Sequence, residues 1–350
     1  MEEVSKFPID FKEFIALYKE TVYKKLCEYM PNSGSAEFDK MVRTYVDRKG
    51  QYRRPSYVLL WTQLYGGRIE DAILPAAAQQ ASEDYFLMHD DWMDGNTLRR
   101  GLPAAHLVMG PIYAILAGDT LHVALWRIAY DATNKLGGNI GKRYFNKFYD
   151  MMLVTHIGQY HDIHLTYDTR DITKFTPEDY YKSIHAKSAY YTIYGPMQCG
   201  AIIAGADDYE VNRIAEYGIP AGNAFQIKDD ILDCSSTEEV LGKTIGTDVR
   251  AGTKTIILWH AVQNAGTATL ERLKKIYEMK PEEKKGSDIK FVIGAFKELG
   301  SLEYAEREAE RLTKEALDKF EHASKGIPES AVKQLARSGI GHTTVRKKSP

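Results

Sequence analysis

Residues 301–323 read SLEYAEREAERLTKEALDKFEHA. Leu302, Ala305, Ala309, Leu312, Ala316, Phe320 and Ala323 recur three and four positions apart, with charged residues between them. That spacing gathers the apolar side chains on one stripe of a 3.6-residue helix, whereas a half-buried strand would alternate. Ser301 is placed to cap the helix, and KGIP at 325–328 ends it. The early segment IDFKEFIALYKETVYKKLCEYM has the same period, and no pair of β-branched runs is joined by a hairpin turn. The expected fold is all-α.

The breaks at 30–35, 65–67, 135–141, 204–208 and 279–288 are short, and none has the length or low complexity of a linker. The 350 residues, 44% of them hydrophobic, can bury a large core, so the chain reads as one domain of many helices, residues 1–350. With 46 basic against 48 acidic residues the net charge is −2, which excludes a global pull toward nucleic acid or anionic membrane. Any functional charge must be local. Cys27, Cys199 and Cys234 form no metal or disulfide pattern and fit a reducing compartment. The start, MEEVSKFPIDFKEF, has neither a signal nor a transit pattern, and no run approaches eighteen apolar residues. A cytoplasmic protein without a membrane span is expected.

Local charge is concentrated at HDDWMD (89–94), which is echoed by KDDILD at 228–233. Residues four apart on a helix share a face, so Asp90 projects with Asp94 and Asp229 with Asp233. Carboxylates so close repel unless a cation lies between them. Hard oxygen ligands suit Mg²⁺, completed by water and substrate phosphates, and Mn²⁺ accepts the same donors. A lone DDxxD can be a solvated helix end; two copies, each after an apolar run, point to a cavity. Arg99 and Arg100 follow the first motif, and GKTIGTDVRAGTK supplies Lys243, Arg250 and Lys254 after the second. Such side chains recognise phosphate oxygens, so the whole describes a diphosphate clamped through a metal. HDIH at 161–164 sets two histidines beside Asp162 without a zinc signature and reads as polar cavity lining or helix surface.

HDDWMDGNTLRRGLPAAH, AGDTL (117–121), HAKSA (185–189), GNAFQIKDDILD (222–233) and LGKTIGTDVRAGTKT (241–255) occur in an order that resembles the trans-isoprenyl diphosphate synthases, the polyprenyl synthetase family of farnesyl and geranylgeranyl diphosphate synthases. The resemblance implies an isoprenoid synthase fold, helices around a central cavity, and a homodimer. It implies that Asp90, Asp94 and Asp229, and by extension Asp91, Asp230 and Asp233, hold Mg²⁺ on an allylic diphosphate, with Arg99, Lys187 and Lys254 neutralising its oxygens. Gln226 would face the cation region beside Lys187. Diphosphate leaves, the double bond of isopentenyl diphosphate attacks the allylic cation, and the departed diphosphate takes the released proton.

Arg54 and Arg100 would remain as isopentenyl diphosphate ligands, but two positions depart from the pattern. In GQYRRP (50–55), Gln51 stands where the family has lysine. Glu83, seven before Asp90, stands where it has His or Gln. Gln79, Glu83, Phe86, Asp90 and Asp94 share a narrow helix face, so Glu83 looks toward the site, where it opposes a diphosphate unless paired with a base such as Arg53. These changes keep two rivals in view: a terpene-synthase-like enzyme that needs no isopentenyl diphosphate, and a non-catalytic subunit of a heteromeric synthase, against which the two intact motifs argue. Tyr85 and Phe86 lie one turn below Asp90, where bulky side chains would limit a growing prenyl tail, and by the resemblance aromatics at both positions imply fifteen-carbon products first and twenty next. If Tyr85 packs outward, Phe86 alone is the floor and the longer product is favoured.

Overall fold

The computed structural model describes residues 8, 10–169, 171–235 and 246–342. The helices run α1 (Phe11–Cys27), α2 (Ala36–Asp47), α3 (Arg53–Leu64), α4 (Ile69–Met93), a hairpin of β1 (Leu98–Arg99) and β2 (Leu102–Pro103), α5 (Ala105–Met109), α6 (Pro111–Leu136) and α7 (Gly138–Ile163). After α8 (Pro177–Ile184) come α9 (Gly195–Ile203), α10 (Asp208–Ser235), α11 (Thr247–Ala251), α12 (Ile256–Asn264), α13 (Thr267–Glu278), α14 (Gly286–Glu298), α15 (Ser301–Ala323) and α16 (Ala331–His342). Single turns of π-helix follow α7 at His164–Asp168, and a longer π segment, His185–Tyr194, joins α8 to α9.

The stripe read from 301–323 becomes the packing seam of α15, whose Ala305, Ala309, Leu312, Ala316 and Phe320 are buried against α10. These two helices bridge two apolar clusters. Their Ile214, Tyr217, Ala316 and Phe320 belong to a core built on α1, α3, α4, α6, α7 and α9, while their Ala224, Ile227, Ala305 and Ala309 belong to a second core with α12 and α14. Ser301 does not cap α15: Gly300 is the N-cap residue, and the Ser301 hydroxyl meets His260 Nδ1 at 3.0 Å.

The hairpin was not anticipated, because its strands carry no β-branched residues. Its two-residue turn, Arg100 and Gly101, has φ of 56° and 74°, the primed geometry that matches strand twist. A left-handed arginine costs about 1–2 kcal/mol; Arg100 is held there by its bonds to the Tyr45 carbonyl, 2.5 Å, and Asp84, 2.8 Å.

Helix α6 is, by length and mean composition alone, long and apolar enough to cross a membrane, although charged residues interrupt its apolar run. Yet Ala114, Ala117, Leu121, Leu125 and Ile128 of that helix are buried, and it packs on α4. Its other face leaves Ile112 79% and Val123 71% exposed.

Candidate active site

The C-terminal ends of α4 and α7 bring Asp90, Asp94 and Asp162 together, and the long π segment delivers Lys187 between them. The π turns are admitted by two glycines. A Cβ on Gly158 of α7 would strike the Lys187 and Ala186 backbone, and one on Gly222 of α10 would strike Ala189. The Lys187 ammonium then donates to Asp162 at 2.6 Å. Burial works to strip that proton, but Asp162, Asp90 and Asp94 outweigh it and hold Lys187 above its ordinary value.

Lys187 and Ser188 lie at the seam of two compartments. The outer one is lined by Asp94, Asp162, Gln226, Asp230, Asp248 and Lys254, the inner one by Arg54, Glu83, Phe86, Asp90, Gln159 and Tyr191. Burial raises the Asp90 carboxyl, with Asp91 and Asp162 adding to it and Lys187 and Arg99 opposing. Asp94 reaches solvent at the mouth, but its carboxyl is shielded by neighbouring protein and also raised, with Asp90 and Asp162 contributing. Three carboxylates around one ammonium are short of positive charge.

In the outer compartment a hydrogen-bonded chain fixes the α10 side chains. Ser188 donates to Gln226 Oε1 at 2.6 Å, Gln226 Nε2 to Asp230 at 2.8 Å, and the Tyr180 hydroxyl to Asp230 at 2.7 Å. Burial pushes Asp230 up to about 7 against those two donors. Lys254 is pushed down to about 8 by burial, which Asp162 partly offsets, and its ammonium is held by the Leu165 carbonyl.

Not every aspartate of the two motifs faces this space. Asp91 is fully buried and accepts from Tyr45, Asn96 and the Arg99 fork. Its role is to fix the hairpin, and Arg99 is engaged there too. Asp233 is equally buried and accepts from Thr247 N and Oγ1 and Asp248 N, so it caps α11 instead of projecting with Asp229. Asp229 is half-buried beside Asp230, which is the residue of the pair that lines the outer compartment. Lys243 lies outside the described residues.

The inner compartment pairs its charges differently from expectation. Glu83 meets Arg54, at 3.2 Å, and not Arg53, which stacks over Phe225. Arg100 is 3.9 Å from Glu83. Lys49 turns away to Glu20, 2.7 Å, and Gln51 is exposed. Phe86 lines the compartment, whereas Tyr85 packs behind it among His89, His122 and His156, its hydroxyl 3.0 Å from His156 Nε2.

Asp162 and Tyr180 were missed as site residues. HDIH drew notice to its histidines, of which His164 pairs with Asp168 at 2.8 Å; the spacing of Asp162 to HAKSA gave no cue, because the π segment sets it.

Among the described residues no three His, Cys, Asp or Glu side chains could hold a metal ion by themselves. The donor set nevertheless fits a hard divalent ion: crowded carboxylates with raised proton affinity and too few cations leave room for one completed by water and phosphate.

The all-α fold and a cleft of carboxylates and lysines define a protein suited to a metal-bound polyphosphate. The chain belongs to the polyprenyl synthetase family, whose model matches residues 35–294. It is 33% identical over 297 residues to a geranylgeranyl diphosphate synthase of Sulfolobus acidocaldarius, covering 83% of this chain and 86% of that one. Its fold matches the crystal structure of the geranylgeranyl pyrophosphate synthetase of Pyrococcus horikoshii with a TM-score of 0.82 and 30% identity, covering 96% and 99% of the two chains. A Corynebacterium glutamicum geranylgeranyl pyrophosphate synthase, solved with isoprenyl diphosphate and magnesium, shares the fold at 24% identity and a TM-score of 0.84, covering 97% and 100%.

Proposed function

We propose that the protein is a short-chain trans-prenyltransferase that joins isopentenyl diphosphate to an allylic diphosphate and releases geranylgeranyl diphosphate. The observation that carries this reading is the seam at Lys187, where a carboxylate-rich outer compartment meets an inner one lined by Phe86 and Tyr191. The twenty-carbon product, rather than the fifteen-carbon one put first from sequence, is favoured because Phe86 lines the inner compartment while Tyr85 packs away from it among His89, His122 and His156. The relative from Sulfolobus acidocaldarius supports the same length.

Asp90 and Asp94 on one side and Asp230, with Asp229, on the other would hold the divalent metal, magnesium by analogy with the Corynebacterium structure. When bound it supplies the positive charge that stabilises the departing diphosphate. Lys187 and Lys254 would place ammonium groups on the same oxygens. Gln226, oriented by Ser188 and Asp230, lines the outer compartment and would face the region where the allylic carbon loses its leaving group. Tyr191 and Phe86 wall that region with aromatic faces and keep bulk water from it. Arg54 and Arg100 would receive the second diphosphate.

The unpartnered apolar faces of α6 and α7, which carry Ile112, Leu116 and Val123 on one and Tyr149, Leu153 and Ile157 on the other, support a homodimer. The helices shared by both cores support reading residues 1–350 as one domain. The activity is tested by incubating the purified protein with magnesium, labelled isopentenyl diphosphate and each allylic diphosphate in turn.

A further inference from the structure

The inner compartment is charge-balanced before any substrate arrives. Glu83, 8% exposed, faces Arg54 at 3.2 Å and Arg100 at 3.9 Å, while Asp84, 1% exposed, takes the Arg100 guanidinium at 2.8 Å. Lys187 and Asp90, which line the space together with Arg54 and Glu83, cancel each other formally. Other donors of the arginines are engaged by protein: Arg54 Nη2 donates to Thr192 at 2.9 Å and its guanidinium stacks on Tyr191, and Arg100 Nη1 donates to the Tyr45 carbonyl. Gln51 is exposed and neutral.

The Glu83–Arg54 pair is not a finished structural bond. Among the described residues, Glu83 Oε2 and Arg54 Nε are sealed from solvent without a hydrogen-bond partner. Each such group carries an uncompensated desolvation cost, so the pair is held with less than its full hydrogen bonding. A diphosphate entering there gains Arg54 only by displacing Glu83, and then lies against a buried carboxylate.

We propose that Glu83 is a specificity-determining residue: it withholds Arg54 from the second substrate, so that isopentenyl diphosphate is captured weakly and a neutral residue at this position tightens its binding. The assignment rests on the prenyltransferase reading above. Removing one of two carboxylates from around the arginines leaves the compartment with a net positive charge, while the groups around the leaving diphosphate are untouched. The change therefore falls on binding of the second substrate and spares the ionisation step.

The wild-type protein, Glu83→Gln, Glu83→Asp and Gln51→Lys are compared with magnesium present. Steady-state rates at saturating farnesyl diphosphate give KM and kcat for isopentenyl diphosphate, and calorimetric titration with isopentenyl diphosphate gives Kd. Glu83→Gln is expected to lower KM and Kd about tenfold with kcat little changed. Glu83→Asp, which keeps the charge but draws it back from Arg54, gives constants between those of wild type and Glu83→Gln, and Gln51→Lys in the Glu83→Gln background lowers both constants further. A Glu83→Gln protein whose KM and Kd are unchanged or higher overturns the assignment. If no variant incorporates isopentenyl diphosphate, the prenyltransferase reading fails; a tighter Kd in Glu83→Gln then still upholds the charge assignment, and an unchanged Kd overturns it as well.

Discussion

The Lys187 ammonium lies 2.6 Å from the Asp162 carboxylate, where the two compartments of the cavity meet. It is the positive charge shared by Asp90, Asp94 and Asp162, so its loss would leave three crowded carboxylates to repel one another. Lys187→Met is expected to lower kcat/KM about a hundredfold or more while the protein still melts cooperatively. It should also shift the acidic limb of the pH–rate profile upward, because carboxylates without a cation hold their protons more tightly. Steady-state rates between pH 5 and 9, set beside thermal melts, check both. A profile that falls uniformly, with no displacement, would assign Lys187 to substrate alone.

Phe86 and Tyr85 are adjacent in sequence, yet only Phe86 lines the cavity. Phe86→Ala is expected to give products longer than the wild type's by at least one five-carbon unit. Tyr85→Ala, which empties space among His89, His122 and His156, should cost stability on the order of 3–5 kcal/mol before it changes length. Chromatography of dephosphorylated products and denaturant melts separate the two effects. Equal lengthening by both variants would restore Tyr85 to the floor.

Burial raises Asp230 to about 7 and Asp84 to about 6 in the folded protein. Their unfolded values lie near 4, so between about pH 4 and 7 the folded state binds the extra protons. This stabilisation is complete below that window and is lost as pH rises through it. Asp230 alone accounts for about 4 kcal/mol as an upper bound. In metal-free protein, Asp230→Asn should therefore gain Tm relative to wild type as pH rises from 5 to 7. Calorimetry with a chelator present reads the difference, and a Tm gap independent of pH would show that Asp230 does not hold a proton there.

Val123 is 71% exposed on the apolar face of α6. Val123→Glu is expected to halve the mass measured by light scattering if that face joins two copies, with the helical circular dichroism retained. A wild-type protein that already runs as a monomer would remove the dimer from the account.

The all-α class and much of the cavity were legible because they follow from short-range spacing. Apolar residues three and four apart set the α10–α15 seam, and Asp90, Asp94 and Phe86 share a helix face as the 100° step requires. What was not legible depends on partners distant in sequence. Nothing in DDWMD says that Tyr45, forty-six residues earlier, takes Asp91, or that Asp233 turns to cap α11. Glu83 was expected to seek a basic partner, but choosing Arg54 over Arg53 needs the placement of α3 against α4, which lies beyond local spacing. The hairpin escaped notice because its turn is carried by a left-handed arginine, a residue that gives no turn signal.

The most direct measurement is chromatography of the products formed when purified protein is given magnesium, labelled isopentenyl diphosphate and dimethylallyl, geranyl or farnesyl diphosphate in turn, with a chelator control. The account predicts label in a twenty-carbon diphosphate from each primer and none in the chelated sample. Consumption of the allylic diphosphates without label in any prenyl product would contradict it.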